Sequence, residues 1–347
     1  MNATVFSYTR KGAQLSLKIK EILEVLGYKT EVYTSEKFVD VDPILKTSVG
    51  CIKSAGKAFA NSKVIVYIGS CGIAVRAIAP HVVSKTTDPA VISIDECGNF
   101  VIPLLAGHIG GANSIARKIA SAVKAEAVIT TATDVNGLFA VDEWAARHDY
   151  YMNSMFAAKE LSSALVDGKE IGVKSIYPIV GKMPKGLVMK DSGEIGLMIG
   201  TNDLEKPFTT TLTLLPKTFV LGVGCRRDTL LTTLEELILP QLAKMKISMQ
   251  AIREVCSVNL KKDEQGLLAF ADKYSLPIRF FDVSELARQK GTFTPSALVQ
   301  KVVGVDNVCE RAAVAASKGK IILPKTSKNG VTMAIAQVHI AIDFNKM

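Results

Sequence analysis

The sequence predicts an α/β protein. Mostly parallel sheets with flanking helices form an N-terminal lobe, a less regular central region follows, and a second, smaller α/β domain closes the chain. Three observations carry this. Short, mostly apolar runs, at residues 63–68 and 90–94, read as strands buried on both faces. Stretches of helical periodicity separate such runs, the pattern of a sheet covered by helices. A fresh strand at 219–224 follows the break Leu215-Pro216-Lys217. With 347 residues the chain has room for two or three domains, and the expected bounds are 1–133, 134–216 and 217–347.

In chain order, residues 4–8 form a short strand. A helix at 12–26 places Leu15, Leu17, Ile19, Ile22 and Leu23 on its apolar face, and Gly27 stops it. Residues 28–34 alternate as a second strand. Strands at 63–68, 90–94 and 127–130 follow, the last after a helix at 112–123. The stretch 134–215 holds Trp144, the turn-rich segment 178–193 and a strand at 207–213. Beyond 218, helices at 229–244, 296–303 and 307–317 alternate with strands at 253–258, 278–281, 320–323 and 331–336. Pro240 is expected to kink or end the first of these helices.

Composition narrows the function classes. Hydrophobic residues make up 48% and charged residues 22%, so general disorder is excluded. The net charge of +9 favours an acidic partner. The basic residues are scattered and aromatics are 6%, which argues against a nucleic-acid stripe. No apolar run approaches the roughly 18 residues of a membrane span, and no leader pattern opens the chain. The six cysteines form no CxxC pair, as expected of reduced thiols in a cytoplasmic protein.

In open α/β sheets, ligands bind beyond the carboxyl ends of the strands. That rule selects three loops. The first, 69–76, offers Gly69, Cys71, Gly72 and Arg76 ahead of a helix and could receive an anion, or could be a plain tight turn. The second, 104–113, sets His108 among Gly107, Gly110 and Gly111 and ends in Asn113. An imidazole there can serve as general base or as an axial metal ligand, and Asn113 can instead cap the helix. The third, 130–134, presents Thr131 and Asp134, again open to a capping role. Lys85 and Asp88 form a further polar group, and Asp95-Glu96 precedes Gly98, as in a hairpin turn. The catalytic candidates are His108 first, then Asp88, Glu96 and Asp134. Past residue 218, Gly224 and Arg226 at a strand end suit a carboxylate, and Lys261, Glu264, Glu310 and Lys325 complete the binding candidates.

Together these segments are more specific than any one of them. GSCGIAVRAIAP, KTTDPAVISIDECGNFVIPLLAGHIGGAN, VITTATD and VDEWA, then LGVGCRRDT, SVNLKKDEQGL, VGVDNVCERAA and PKTSKNGVTMAIA, resemble the cobalamin biosynthesis G family. The C-terminal part is also similar to a small stand-alone protein of the aerobic cobalamin route. One position departs from the C-terminal pattern: Asn259 stands where Asp is expected. The resemblance implies hydrolysis of cobalt-precorrin-5A, with opening of its ring A δ-lactone and release of acetaldehyde. It implies a small-molecule substrate that brings its own cobalt, hence no separate cofactor or metal motif, and neither nucleic acid nor membrane as partner. Self-association stays open. So does a non-catalytic corrinoid-carrier role. A nucleotide-binding enzyme is weakened by the absence of GxGxxG and GxxxxGKS/T patterns.

Overall fold

The structure, a computed structural model, describes residues 1–84 and 87–345, the side chains of Cys51, Leu298 and Val302 excepted. Lys85 lies outside the described residues. The chain divides into two compact units, Met1–Glu143 and Trp144–Met347.

The first unit runs β1 (Asn2–Ser7), α1 (Arg10–Val25), β2 (Lys29–Thr34), β3 (Lys46–Thr47), α2 (Cys51–Asn61), β4 (Val64–Ile68), α3 (Cys71–Ile78), β5 (Ala90–Ile94), β6 (Phe100–Leu105), α4 (Ala112–Val123), β7 (Glu126–Ala127) and α5 (Ala132–Val135), and ends inside α6 (Val141–Arg147). Its seven-stranded sheet has the order β3-β2-β1-β4-β5-β6-β7. The apolar runs are strands buried on both faces, as their lack of alternation requires. Val64, Val66 and Ile68 pack against Ile19 and Leu23 of α1 and Ile115 and Ile119 of α4. Ile65 and Tyr67 face Ala55 and Ala58 of α2 and Ala74 and Ala77 of α3.

Of this unit's strands, β3 and β6 went unread in the sequence. β6 returns antiparallel to β5, pairing Ile94 with Val101 and Val91 with Leu105. β7 then pairs parallel with β6, Phe100 beside Glu126. The carboxyl ends of β6 and β7 therefore sit at the edge of the sheet where β4 and β5 begin.

The second unit contains two larger sheets. In the stretch that read as less regular, β8 (Tyr151–Met152), α7 (Met155–Val166), β9 (Ile171–Ser175), β10 (Ile179–Val180), β11 (Leu187–Met189), β12 (Gly193–Ile199) and β13 (Phe208–Leu215) follow in order. Five of the strands make a sheet of order β11-β9-β12-β13-β8. Next come β14 (Phe219–Cys225), α8 (Leu231–Lys244), β15 (Ile252–Val258), α9 (Gln265–Lys273), β16 (Ile278–Phe281), α10 (Val283–Ala287), α11 (Ala297–Val303), α12 (Cys309–Ser317), β17 (Lys320–Lys328), β18 (Val331–Gln337) and β19 (Ile342–Asp343). The last sheet has the order β16-β15-β14-β18-β17, and β10 pairs with β19. Pro240 does not end α8, which continues to Lys244. Buried Leu234, Leu237, Ile238 and Leu242 hold that helix to the sheet and offset the hydrogen bond the proline removes.

On the other face, α12 lies so close to β14 that a Cβ on Gly222 would sit 1.8 Å from the Cys309 carbonyl oxygen. No side-chain rotation can relieve a clash with backbone. Gly222→Ala is therefore expected to cost about 3 kcal/mol, read as a lowered midpoint in thermal unfolding. Gly72→Ala is the control: its added methyl meets nothing within 4 Å, and in an exposed helical position it should raise stability by up to about 1 kcal/mol.

Candidate active site

The reversal of β6 decides which candidate residues meet. The loop after β6 and the segment after β7 emerge at the same edge of the first unit's sheet, and there His108 meets Asp134. His108 Nε2 lies 3.0 Å from Asp134 Oδ2 and 3.2 Å from Thr133 Oγ1. Its Nδ1 lies 3.3 Å from Asp142 Oδ1, an α6 residue. The imidazole is thus clasped by a carboxylate on each nitrogen.

The loop that delivers His108 is built by its own backbone. Gly111 N donates to His108 O at 2.9 Å, Ala112 N to Ala106 O at 3.1 Å and Asn113 N to Gly107 O at 3.0 Å. Gly107 is a steric necessity, because a Cβ there would stand 2.8 Å from Asn113 Oδ1. Asn113, buried in the first turn of α4, does not cap the helix. Its Nδ2 donates to Asp134 Oδ2 and to Thr131 Oγ1, both at 2.9 Å. One turn further along α4, Arg117 donates to Asp134 Oδ1, and the Thr131 hydroxyl donates to Oδ2.

The electrostatics follow from these contacts. Asp142, chiefly, holds His108 protonated; burial opposes this, Asp134 adds to it, and the imidazolium titrates at about 9. Burial works to raise Asp134, but the Thr131, Arg117 and His108 donors overcome it and bring the carboxyl down to about 2. Asp142 is likewise buried, yet the His108 bond keeps it below the ordinary carboxylate range. Donor atoms of His108, Asp134 and the buried Glu143 lie within 4.8 Å of one another, close enough to share one cation. The chain already places two of its own cations there, the imidazolium and the Arg117 guanidinium.

The other candidates of this unit stand apart. Gly69, Cys71, Gly72 and Arg76 follow β4 at the opposite sheet edge, where Ile68 pairs with Ile94. The length of β5 separates that edge from the His108 edge, roughly 16 Å at 3.3 Å per residue. Glu96 is exposed at the tip of the β5–β6 hairpin, which Asp95 closes by accepting from Cys97 N at 2.9 Å and Phe100 N at 2.6 Å. The Asp88 carboxylate is taken by Val83 N and Ser84 N, both at 3.1 Å.

In the second unit, Gly224, Arg226, Lys261 and Lys325 line a cavity of about 820 Å³ together with Arg227, Lys328, Val258 and Val299. Glu264 holds Lys261 at 2.9 Å and accepts from Asp228 N at 3.0 Å. Glu310 is a structural staple: at 1% exposure, its carboxylate accepts from Thr294 N, Asn307 Nδ2 and Lys325 N at 2.6–2.7 Å. Asn259 donates to Asp282, a contact in which an aspartate would instead meet like charge.

Sequence reasoning missed Asp142 and Arg117. The signal for Arg117 was its spacing, i+4 from Asn113 on one helix face. Asp142 sat unassigned in the VDEWA motif.

The clasp gives a pH dependence. His108 is raised from 6.5 to about 9, so its stabilising contribution is complete below 6.5 and is lost as pH rises through about 9. Asp134 is lowered from 3.8 to about 2, so its contribution is complete above 3.8 and is lost as pH falls toward about 2. Denaturant midpoints should therefore fall more for the wild type than for His108→Gln as pH goes from about 6 to about 9.5.

Two family models match the chain: Cobalamin synthesis G N-terminal over residues 53–134 and Cobalamin synthesis G C-terminus over residues 219–336. The chain is 33% identical to the cobalt-precorrin-5A hydrolase of Salmonella typhimurium, covering 96% of this chain and 97% of that protein. It is 31% identical to the cobalt-precorrin-5A hydrolase of Priestia megaterium, covering 96% and 94%. Protein CobE of Sinorhizobium sp is 29% identical over 34% of this chain and 78% of its own length. A crystal structure of a cobalamin biosynthesis protein G homolog from Sulfolobus solfataricus aligns over 97% of each chain at 20% identity, with a TM-score of 0.42. The matched models and the near full-length relatives establish that this chain belongs to the cobalamin biosynthesis G family.

Proposed function

We propose that this protein is a cobalt-precorrin-5A hydrolase that opens the ring A δ-lactone of its substrate and releases acetaldehyde to give cobalt-precorrin-5B. The names of the two relatives above 30% identity support the activity. The observation that carries the chemistry is His108, held as an imidazolium between two carboxylates.

In hydrolysis of the lactone, water bonds to the acyl carbon and loses its surplus proton to solvent as the carboxylate forms, while the oxygen that leaves that carbon needs a proton. The later carbon–carbon cleavage needs a base to take that proton back from the hydroxyl as acetaldehyde departs. His108 can do both in turn. Charged at neutrality, it donates as the lactone opens. Neutral after donation, it accepts as the hydroxyl becomes the aldehyde carbonyl, and the electron pair of the broken bond passes into the macrocycle. Asp134, fixed by four donors, orients the ring. The sequence made His108 a general base or a cobalt-facing ligand; in this proposal it acts first as an acid.

The substrate bears many carboxylates. Arg226, Arg227, Lys261, Lys325 and Lys328 around the second unit's cavity offer matching donors. The same cavity is what favours the carrier reading, since holding a corrinoid needs cations and no acid. Trapping of acetaldehyde on incubation with cobalt-precorrin-5A separates the two.

His108→Ala should lower acetaldehyde release by about 10²–10⁴-fold while corrinoid still binds. His108→Gln, which neither donates as an acid nor accepts the proton, should be nearly as slow; wild-type rates in both would remove His108 from the chemistry. Corrinoid affinity measured by spectroscopic titration should weaken as salt is raised. Arg226→Ala should weaken it more than Lys18→Ala on α1, and equal affinity at low and high salt would exclude electrostatic capture.

A further inference from the structure

We propose that Asp142 is the positioning residue that keeps His108 charged, and that it sets the upper pH limit of the reaction. The inference rests on the reading of His108 as the site's acid, and it gives the VDEWA motif a task.

The argument concerns how two carboxylates divide their charge. Asp134 is the nearer, 3.0 Å from Nε2 against 3.3 Å from Nδ1 to Asp142. Yet Asp134 is heavily shared. Arg117 places a full positive charge on its Oδ1, and Asn113 and Thr131 donate to its Oδ2. Little of its field is left for the imidazole. The further donors to the Asp142 carboxylate are uncharged backbone N–H groups, that of Glu143 at 3.0 Å and its own. Its negative charge is therefore committed to His108. Both partners are poorly solvated, with side-chain exposures of 18% for His108 and 14% for Asp142, so water screens the pair weakly. Among the described residues, the charged groups that face the imidazole include Asp134 from α5 and Asp142 and Glu143 from α6, with Arg117 of α4 reaching it through Asp134. The placing of Asp142 is rigid: it lies in the first turn of α6, and its neighbour Val141 is fully buried. The shift of His108 to about 9, with Asp142 as its largest cause, agrees with this division.

Asp142→Asn keeps the shape and removes the charge. Two readouts test it. Imidazole NMR follows the His108 titration, with its resonance assigned by its loss in His108→Gln. The pH profile of kcat/KM for acetaldehyde release reports the same group in function. In Asp142→Asn the imidazole should titrate well below its wild-type position, and the alkaline limb of the profile should move down with it. Activity near pH 6 should stay within a few-fold of wild type, while at pH 8.5 it should fall at least tenfold. Asp142→Glu, which keeps the charge, should restore the limb. Should Asp142→Asn fail to fold, Asp142→Ser makes the same test. An unshifted His108 titration, or a loss equal at every pH, would overturn the proposal. Absence of acetaldehyde from the wild type would overturn the hydrolase reading instead, and the NMR titration would still decide whether Asp142 holds His108 charged.

Discussion

The hairpin between β5 and β6 is the constraint on which the first unit's site depends. Asp95 closes it by accepting two backbone N–H groups, and the sheet then continues with its last two strands reversed. In an all-parallel sheet, every loop after a strand would share one edge. Here two edges carry loops of different kinds. The edge beyond β4 receives the exposed glycine-rich start of α3. The edge beyond β6 and β7 receives a histidine and its carboxylates. A five-residue change of direction, at 95–99, thus separates one family of loops into two groups and concentrates the titratable residues in one of them.

At that second edge the arrangement obeys charge balance more than any metal geometry. Three carboxylates would repel strongly in a partly buried site, and an unpaired buried charge costs several kcal/mol. The imidazolium and the Arg117 guanidinium offset that repulsion, and Thr131 and Asn113 donate to the Asp134 carboxylate. A histidine flanked by two anions holds its proton through neutrality, where water alone would leave an imidazole mostly neutral.

The second unit solves a different problem. Its last sheet brings the ends of β14, β15 and the β17–β18 hairpin around a cavity whose walls mix valines with lysines and arginines. Such a surface suits a flat, apolar ligand with carboxylates at its rim. The cavity depends on Glu310, a carboxylate with no opening to solvent whose acceptor positions tie together the Thr294 loop, Asn307 and β17. Removing such an acceptor would orphan several buried donors at once. Glu310 is therefore better understood as what holds the wall than as what touches the ligand.

How much of this the residues announced depended on the range of the signal. Strand and helix identity is local. The runs at 64–68 and 90–94, the periodicity of α1 and of α4, and the fresh strand at Phe219 can all be read from neighbours a few residues apart. The loop glycines around His108 were equally plain, and so was the proximity of Thr131 to Asp134. β6 escaped because Phe-Val-Ile-Pro-Leu-Leu carries a proline and runs straight into the glycine loop, a pattern that reads as punctuation. Without β6 the sense of direction was lost, and with it the separation of the 69–76 loop from His108. The sheet at 151–215 escaped because its strands are short and joined by turns. Asp142 is 34 positions from His108 and Arg117 is 17 from Asp134. Such pairs leave no periodic trace, because they are set by which sheet edge each loop leaves and which helix closes over it. The sequence by itself determined the strongly patterned elements, the family and the residue types of the site. The tertiary structure decided which of those residues meet and therefore which protonation state His108 holds, because a pKa is a property of neighbours in space.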